Sequence, residues 1–194
     1  MTKKRVGVAL LVVAAVLIVG MFAFVAYRTP KSAEDTTQLT EKDELMYKNI
    51  SADYPKTPRE VVKLYNRYIL LLYGSQGEEL TEEEIDTLAQ QMRGLYDEEL
   101  LALNSEETQL ASLKQELAAY QKDQKVMIQT NVCSSNDVEY IDIGDASGAH
   151  VQVSYFVKAG NKEFTRVYQQ FLLRRDEQGE WKILSFAKVD GGED

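Results

Sequence analysis

Few side chains in this sequence could do chemistry. Among 194 residues there is one histidine, His150, and one cysteine, Cys133, beside 31 acids and 22 bases. A general base working at neutral pH is most often a histidine. His150 lies in a run of alternating character, sharing one strand face with Gln152, Ser154, Phe156 and Lys158, while Val151, Val153, Tyr155 and Val157 form the other. If the apolar face covers a core, His150 points away from any enclosed cavity, so no catalytic histidine is expected. A single Cys and a single His exclude an intramolecular disulfide and a Cys/His zinc centre. Cys133 shares its face with Met127, Gln129, Asn131 and Ser135 and reads as an inert small residue rather than a dimer link.

The acids are numerous but poorly arranged for catalysis. Residues 75–107 hold 11 acids against the one base Arg93. Most of them fall in the first turns of predicted helices (Glu82, Glu83, Glu84, Glu98, Glu99, Glu106, Glu107), where the helix dipole favours negative charge. No alternating Asp/Asn loop for calcium is present. Solvated helix starts are therefore expected, and a docking face for a basic partner is the other reading. Asp137, Glu139, Asp142 and Asp145 are strand-end acids without a ligand pattern. Arg59, Lys63 and Arg67 recur every four residues and are expected to pair within the fold, on the acidic second helix, or to meet lipid headgroups. No catalytic, cofactor-binding or metal residue is assigned, and a pI near 4.8 argues against a nucleic-acid partner. Eleven tyrosines against six phenylalanines remain, with Tyr65, Tyr68, Tyr73, Tyr155 and Tyr168 in core-forming segments. Tyr65, Tyr68, Tyr155 and Tyr168 are the candidate lining of a pocket for an amphipathic molecule, since each ring offers an apolar body and a polar tip.

The elements that must position these groups follow from periodicity. Thr57-Pro58-Arg59-Glu60 supplies a cap, a proline at the first helical position and a glutamate that can bond back, and the apolar set Val61, Leu64, Tyr65, Tyr68, Leu71 and Leu72 runs on to Gly74. Thr81–Glu84 is a second capping box, followed by Ile85, Leu88, Ala89 and Met92 and a stop at Gly94. A third helix starts near Asp97 or Ser105 and carries Leu110, Leu113, Leu117 and Tyr120. From Lys125 the period becomes two, with Val126, Ile128, Thr130 and Val132 as one face. Turns at 134–137, 144–148, 159–162 and 176–179 then separate strands over 138–143, 150–158, 163–175 and 180–189. Helices followed by hairpin-linked strands predict an α+β domain with helices on one face of an antiparallel sheet.

Upstream, residues 6–27 contain no charge, Asn, Gln or Pro. As a helix they would be roughly 33 Å long, which matches a hydrocarbon core, and Val6 and Tyr27 would be the ends of the span. The run is long for a signal peptide, and no small-x-small site follows it. Lys3, Lys4 and Arg5 are undiluted by acids, so the positive-inside rule keeps the N-terminus in the cytoplasm and places the rest outside the cell. The expected organisation is a cytoplasmic tail (1–5), a transmembrane helix (6–27), a polar stalk (28–56) with a helical turn or two near 40–48, a folded domain (57–189) and an acidic tail (190–194). Asn49-Ile50-Ser51 matches a glycosylation sequon.

The element order over residues 57–189, with the closing stretch FLLRRDEQGEWKILSF (171–186), resembles the NTF2-like superfamily, whose curved antiparallel sheet wraps helices into a cone. Those domains often add a short strand before the third helix, and the sequence shows no clear strand there. The segments YPKTPREVVKLYNRY (54–68) and LYDEELL (95–101) also look like an uncharacterised family of single-pass membrane proteins of Gram-positive bacteria. The resemblance implies location and architecture. The function expected is a membrane-anchored, extracytoplasmic interaction or assembly domain without catalytic activity or cofactor, its partners the bilayer through residues 6–27 and a protein at the cell envelope. A ligand-binding or enzymatic cone for a small amphipathic molecule is the alternative.

Overall fold

The structure, a computed structural model, describes residues 40–75 and 77–191. The expected cytoplasmic tail, the span ending at Val6 and Tyr27 and the start of the stalk lie outside the described residues, as do residues 192–194. The described residues fall in one compact unit, Leu39–Asp194. No helix among them is long and apolar enough to cross a membrane.

Among the described residues five α-helices precede the sheet: α1 (Glu41–Met46), α2 (Pro58–Tyr73), α3 (Glu82–Arg93), α4 (Glu98–Leu103) and α5 (Glu106–Lys122). Both expected capping boxes form. Thr57 Oγ1 accepts from the Glu60 amide at 3.2 Å, and the Glu60 carboxylate accepts from the Thr57 amide at 3.1 Å. Thr81 and Glu84 repeat the arrangement at 3.3 and 2.8 Å. Two helices stand where one was expected after Gly94, because Asp97 caps α4 and Ser105 caps α5.

Residues 40–56, expected as part of the stalk, belong to the folded domain, because Leu45 is fully buried and Ile50 nearly so. A third capping box, Thr40 with Asp43, starts α1. Arg67 of α2 holds it through Glu41 at 2.7 Å and Glu44 at 2.8 Å, and Lys42 reaches Glu84 at 2.8 Å. Of the basic stripe of α2, Arg67 pairs with α1 and not with the acidic α3. Arg59 donates from Nε to the Cys133 carbonyl at 2.6 Å.

Five antiparallel strands follow: β1 (Lys125–Val132), β2 (Glu139–Ile143), β3 (Ala146–Ala159), β4 (Thr165–Arg175) and β5 (Trp181–Val189). The order is β1-β3-β4-β5, with β2 also paired to β3. The 14-residue β3 explains this, since its first half pairs with β2 and its second half with β1. Gly160 (φ 56°) and Gly179 (φ 83°) turn the two last hairpins in the left-handed region, where a β-carbon is strained. The structure corrects the β1 pattern. A bulge between Met127 and Gln129 puts Met127 in the core and leaves Ile128 51% exposed, so Ile128 does not join Thr130 and Val132 on the inner face.

The core lies between α2 and the inner sheet face. Tyr68, Val61 and Val62 meet Val151, Val153, Phe171, Leu173 and Ile183, all 0% exposed. Trp181 is 7% exposed, packs edge-on against Tyr140 at 5.9 Å, and its carbonyl accepts from Tyr54 Oη at 2.8 Å. Between α3 and α4 a single parallel bridge joins Tyr96 to Ile183, fixed by bonds of 2.9 and 2.8 Å. Arg174 of β4 locks this corner with a bidentate pair to Asp97, at 3.0 and 2.6 Å, and a further contact to Glu99 at 2.7 Å.

Candidate functional site

The inner sheet face and three helical elements enclose an open-mouthed cleft of about 290 Å³. Helix α2 contributes Tyr65, Ile69 and Tyr73, spaced four residues apart on one face. Helix α5 contributes Gln109, Ser112, Leu113, Glu116 and Tyr120. Met92 and Tyr96 close one side, and the floor is Met127, Tyr155, Val157, Val167, Gln169 and Phe186 of the sheet. Strand alternation explains the floor, because β3 and β4 send every second residue inward.

Five tyrosines therefore surround the cleft. Tyr65 packs edge-on to Phe171 at 5.3 Å and lies 5.9 Å from Phe186 and 6.2 Å from Tyr96. Tyr73 meets Tyr120 edge-on at 4.8 Å. Such contacts fix ring orientation, each contributing roughly 0.5–1.5 kcal/mol beyond burial. Tyr73 Oη donates to Glu116 Oε2 at 2.6 Å, and Gln109 Nε2 donates to Tyr96 Oη at 3.2 Å while Gln109 Oε1 accepts from Arg93 at 2.6 Å. The Tyr155 hydroxyl and Asn66 Oδ1 are buried without a hydrogen-bond partner; they lie near each other but do not meet in bonding geometry.

Burial pushes the phenols of Tyr65, Tyr73 and Tyr155 well above their ordinary value, with the Glu116 carboxylate adding to the effect at Tyr73. Burial raises Tyr96 likewise. These hydroxyls stay protonated at neutral pH. Glu116 is the one carboxylate of the lining, and Tyr73 already engages it.

Of the four tyrosines expected to line a pocket, two stand in this cleft and two do not. Tyr65 and Tyr155 line the cleft. Tyr68 does not: it is fully buried beneath α1, with its hydroxyl 3.5 Å from the Leu45 carbonyl. Tyr168 does not either, since its neighbours Val167 and Gln169 face inward and it turns to the outer face under Arg166, 4.8 Å from the ring centre. His150 is opposite Glu139 and Leu172 on the sheet, outside the cleft lining. The lining by Tyr73, Tyr96 and Tyr120 was missed. Its signal was available on α5, where the polar residues Gln109, Ser112 and Glu116 share a helical stripe with Leu113 and Tyr120. Among the described residues no group of three or more His, Cys, Asp or Glu side chains could hold a metal ion.

A comparison with curated proteins finds no match. The family described as a domain of unknown function, DUF6715, matches residues 1–186, which takes in the apolar N-terminal run as well as the folded unit. The chain belongs to the DUF6715 family.

Proposed function

We propose that this protein is a non-catalytic binding domain, held at the outer face of a membrane by residues 6–27, whose cleft takes a small, largely apolar molecule with few polar atoms. The observation that carries this reading is the tyrosine-lined cleft between α2, α5 and the inner sheet face. A cavity of a few hundred Å³ with aromatic walls and sparse polar groups is the usual form of a small-molecule site. Glu116 is its only charged lining residue, which favours a neutral or cationic occupant over an anion. The raised phenols and the outward His150 favour binding over general acid–base chemistry. The NTF2-like reading of the fold gains support from the Tyr96–Ile183 bridge, which stands where such domains place a short strand ahead of the third main helix. An assembly surface for a protein partner has weaker support, because the exposed Tyr47, Leu103, Tyr140 and Phe164 lie on separate elements.

The test uses N-phenyl-1-naphthylamine, a neutral aromatic probe with a single polar atom whose emission rises in apolar surroundings. Saturable binding to the wild-type protein is expected. Ser112→Trp, an exposed substitution at the mouth of the cleft, should abolish it without changing the melting temperature. Equal binding by both proteins would overturn the reading. Extraction with alkaline carbonate tests the anchor separately: the chain should stay with the membrane, and protease added to spheroplasts should remove the domain.

A further inference from the structure

We infer that the occupant of the cleft carries a tertiary or quaternary ammonium group, held by the Glu116 carboxylate and the rings of Tyr73 and Tyr120. The inference deepens the binding reading above and rests on it. Tyr73 and Tyr120 meet with their planes 72° apart, so two adjoining aromatic walls stand nearly at right angles. Tyr65 and Tyr96, with ring centres 6.2 Å apart, continue the aromatic lining. Glu116 lies one helical turn before Tyr120, which puts carboxylate and ring on the same stripe of α5. The Tyr73 hydroxyl donates to Glu116 Oε2 at 2.6 Å and fixes the carboxylate against this corner, while no described residue donates to Oε1. Rings around a cation, with a carboxylate beside them, are a cage for alkylated ammonium.

Contact inside the cleft selects the charge. Bases stand around the lining and none belongs to it. Arg93 donates to Gln109 at 2.6 Å and to the Asn104 carbonyl at 3.0 Å. Lys125 is 2.7 Å from Asp123 and lies over the Tyr120 ring at 5.8 Å from its centre. Lys114 turns to Glu82 and Asp86 of α3, and Lys188 is exposed opposite Gln169. Lys158 and Arg166 alternate to the other face of the sheet. These surroundings carry no excess of acid, so the field around the cleft does not make the choice. Within it, an anion would meet Glu116 and the negative faces of the rings, whereas both attract a cation. Alkylation follows from the supply of acceptors. A primary ammonium brings three N–H donors, and each one buried without an acceptor is costly. Gln109 is already engaged at both ends of its amide. Alkyl groups on nitrogen remove those donors and turn an apolar surface toward the rings, Met92 and Met127.

The experiment titrates the full chain, methyl-labelled at methionine and held in dodecyl maltoside micelles, with choline and with its uncharged carbon analogue 3,3-dimethylbutan-1-ol. The two compounds match in shape and differ in charge, and Met92 and Met127 report binding at the cleft itself. Choline should bind about tenfold more tightly than the alcohol. Glu116→Gln keeps an acceptor for the Tyr73 hydroxyl, and it should weaken choline about tenfold with little change for the alcohol. Tyr120→Leu removes a ring and no charge, and the same selective loss is expected, so the test survives if Glu116→Gln fails to fold. Equal affinities for choline and the alcohol, or shifts with N-phenyl-1-naphthylamine alone, would overturn the ammonium inference and leave the cleft reading standing. Variants that weaken both compounds alike would overturn it too. Shifts with choline and none with the naphthylamine would support the ammonium head and overturn the largely apolar occupant. Silence toward all three compounds would overturn both readings.

Discussion

Replacing Tyr155 with Phe should stabilise the unliganded domain. The Tyr155 ring is packed at the cleft floor, and its hydroxyl is buried without a hydrogen-bond partner, as is the neighbouring Asn66 Oδ1. Leaving a buried polar group unsatisfied costs about 1–3 kcal/mol. Removing the hydroxyl relieves that penalty, leaves the ring contacts in place, and opens a void smaller than a methyl group. A net gain of about 1 kcal/mol is expected, equivalent to a rise of roughly 2–4 °C in melting temperature for a domain of this size. Urea unfolding followed by the emission of Trp181, with residues 39–194 as the folding unit, measures the change directly. A loss of about 1 kcal/mol or more would refute the reasoning, because it would show that Tyr155 and Asn66 close a hydrogen bond in the native state. A gain in stability accompanied by weaker binding of the aromatic probe would further mark the hydroxyl as a group kept for an occupant.

Other perturbations test other parts of the structure. Leu45→Ala should cost about 2–5 kcal/mol in the same urea assay, whereas a residue of a solvated stalk would cost almost nothing. Trp181→Ala should cost about 3–5 kcal/mol in urea unfolding followed by circular dichroism, since it removes the only tryptophan, and native-like stability would mean that β5 is peripheral. Arg174→Ala leaves the nearly buried Asp97 carboxylate without its cation and should cost about 3 kcal/mol or more, read as a shifted urea midpoint. Stability should also fall as the pH rises beyond about 10: the unfolded tyrosines ionise there, while burial keeps Tyr65, Tyr73 and Tyr155 protonated in the fold to higher pH. Tyrosinate absorbance rising in step with unfolding, rather than before it, is the expected result.

Local signals carried most of the architecture. The Thr57 and Thr81 capping boxes, the stops at Gly74 and Gly94 and the turns at Gly160 and Gly179 are short-range features, and each element begins or ends where its residues dictate. What escaped depends on distant partners. Leu45 and Ile50 give too short an apolar pattern to signal a core, and they acquire one only because α2 and α3 lie beside them. The bulge at Ile128 is invisible to a strict period of two, since an extra residue on one strand has meaning only against its partner. The cleft was legible in kind, from the surplus of tyrosines, but not in membership. Tyr68 and Tyr65 sit three residues apart on one helix, yet the arrival of α1 buries the first while the second faces the cavity. Tyr168 was misplaced by reading β4 without its inward partners Val167 and Gln169, whereas the alternation of His150 against Val151 held in β3, where the apolar residues are uninterrupted.

The most direct measurement of the binding claim is methyl NMR of selectively labelled methionine during titration with N-phenyl-1-naphthylamine. Met92 and Met127 line the cleft, while Met46 packs on the core without lining it. The account predicts saturable shifts at Met92 and Met127, none at Met46, and loss of both shifts in the Ser112→Trp variant. Unmoved Met92 and Met127 signals at probe saturation, or a shift confined to Met46, would contradict it.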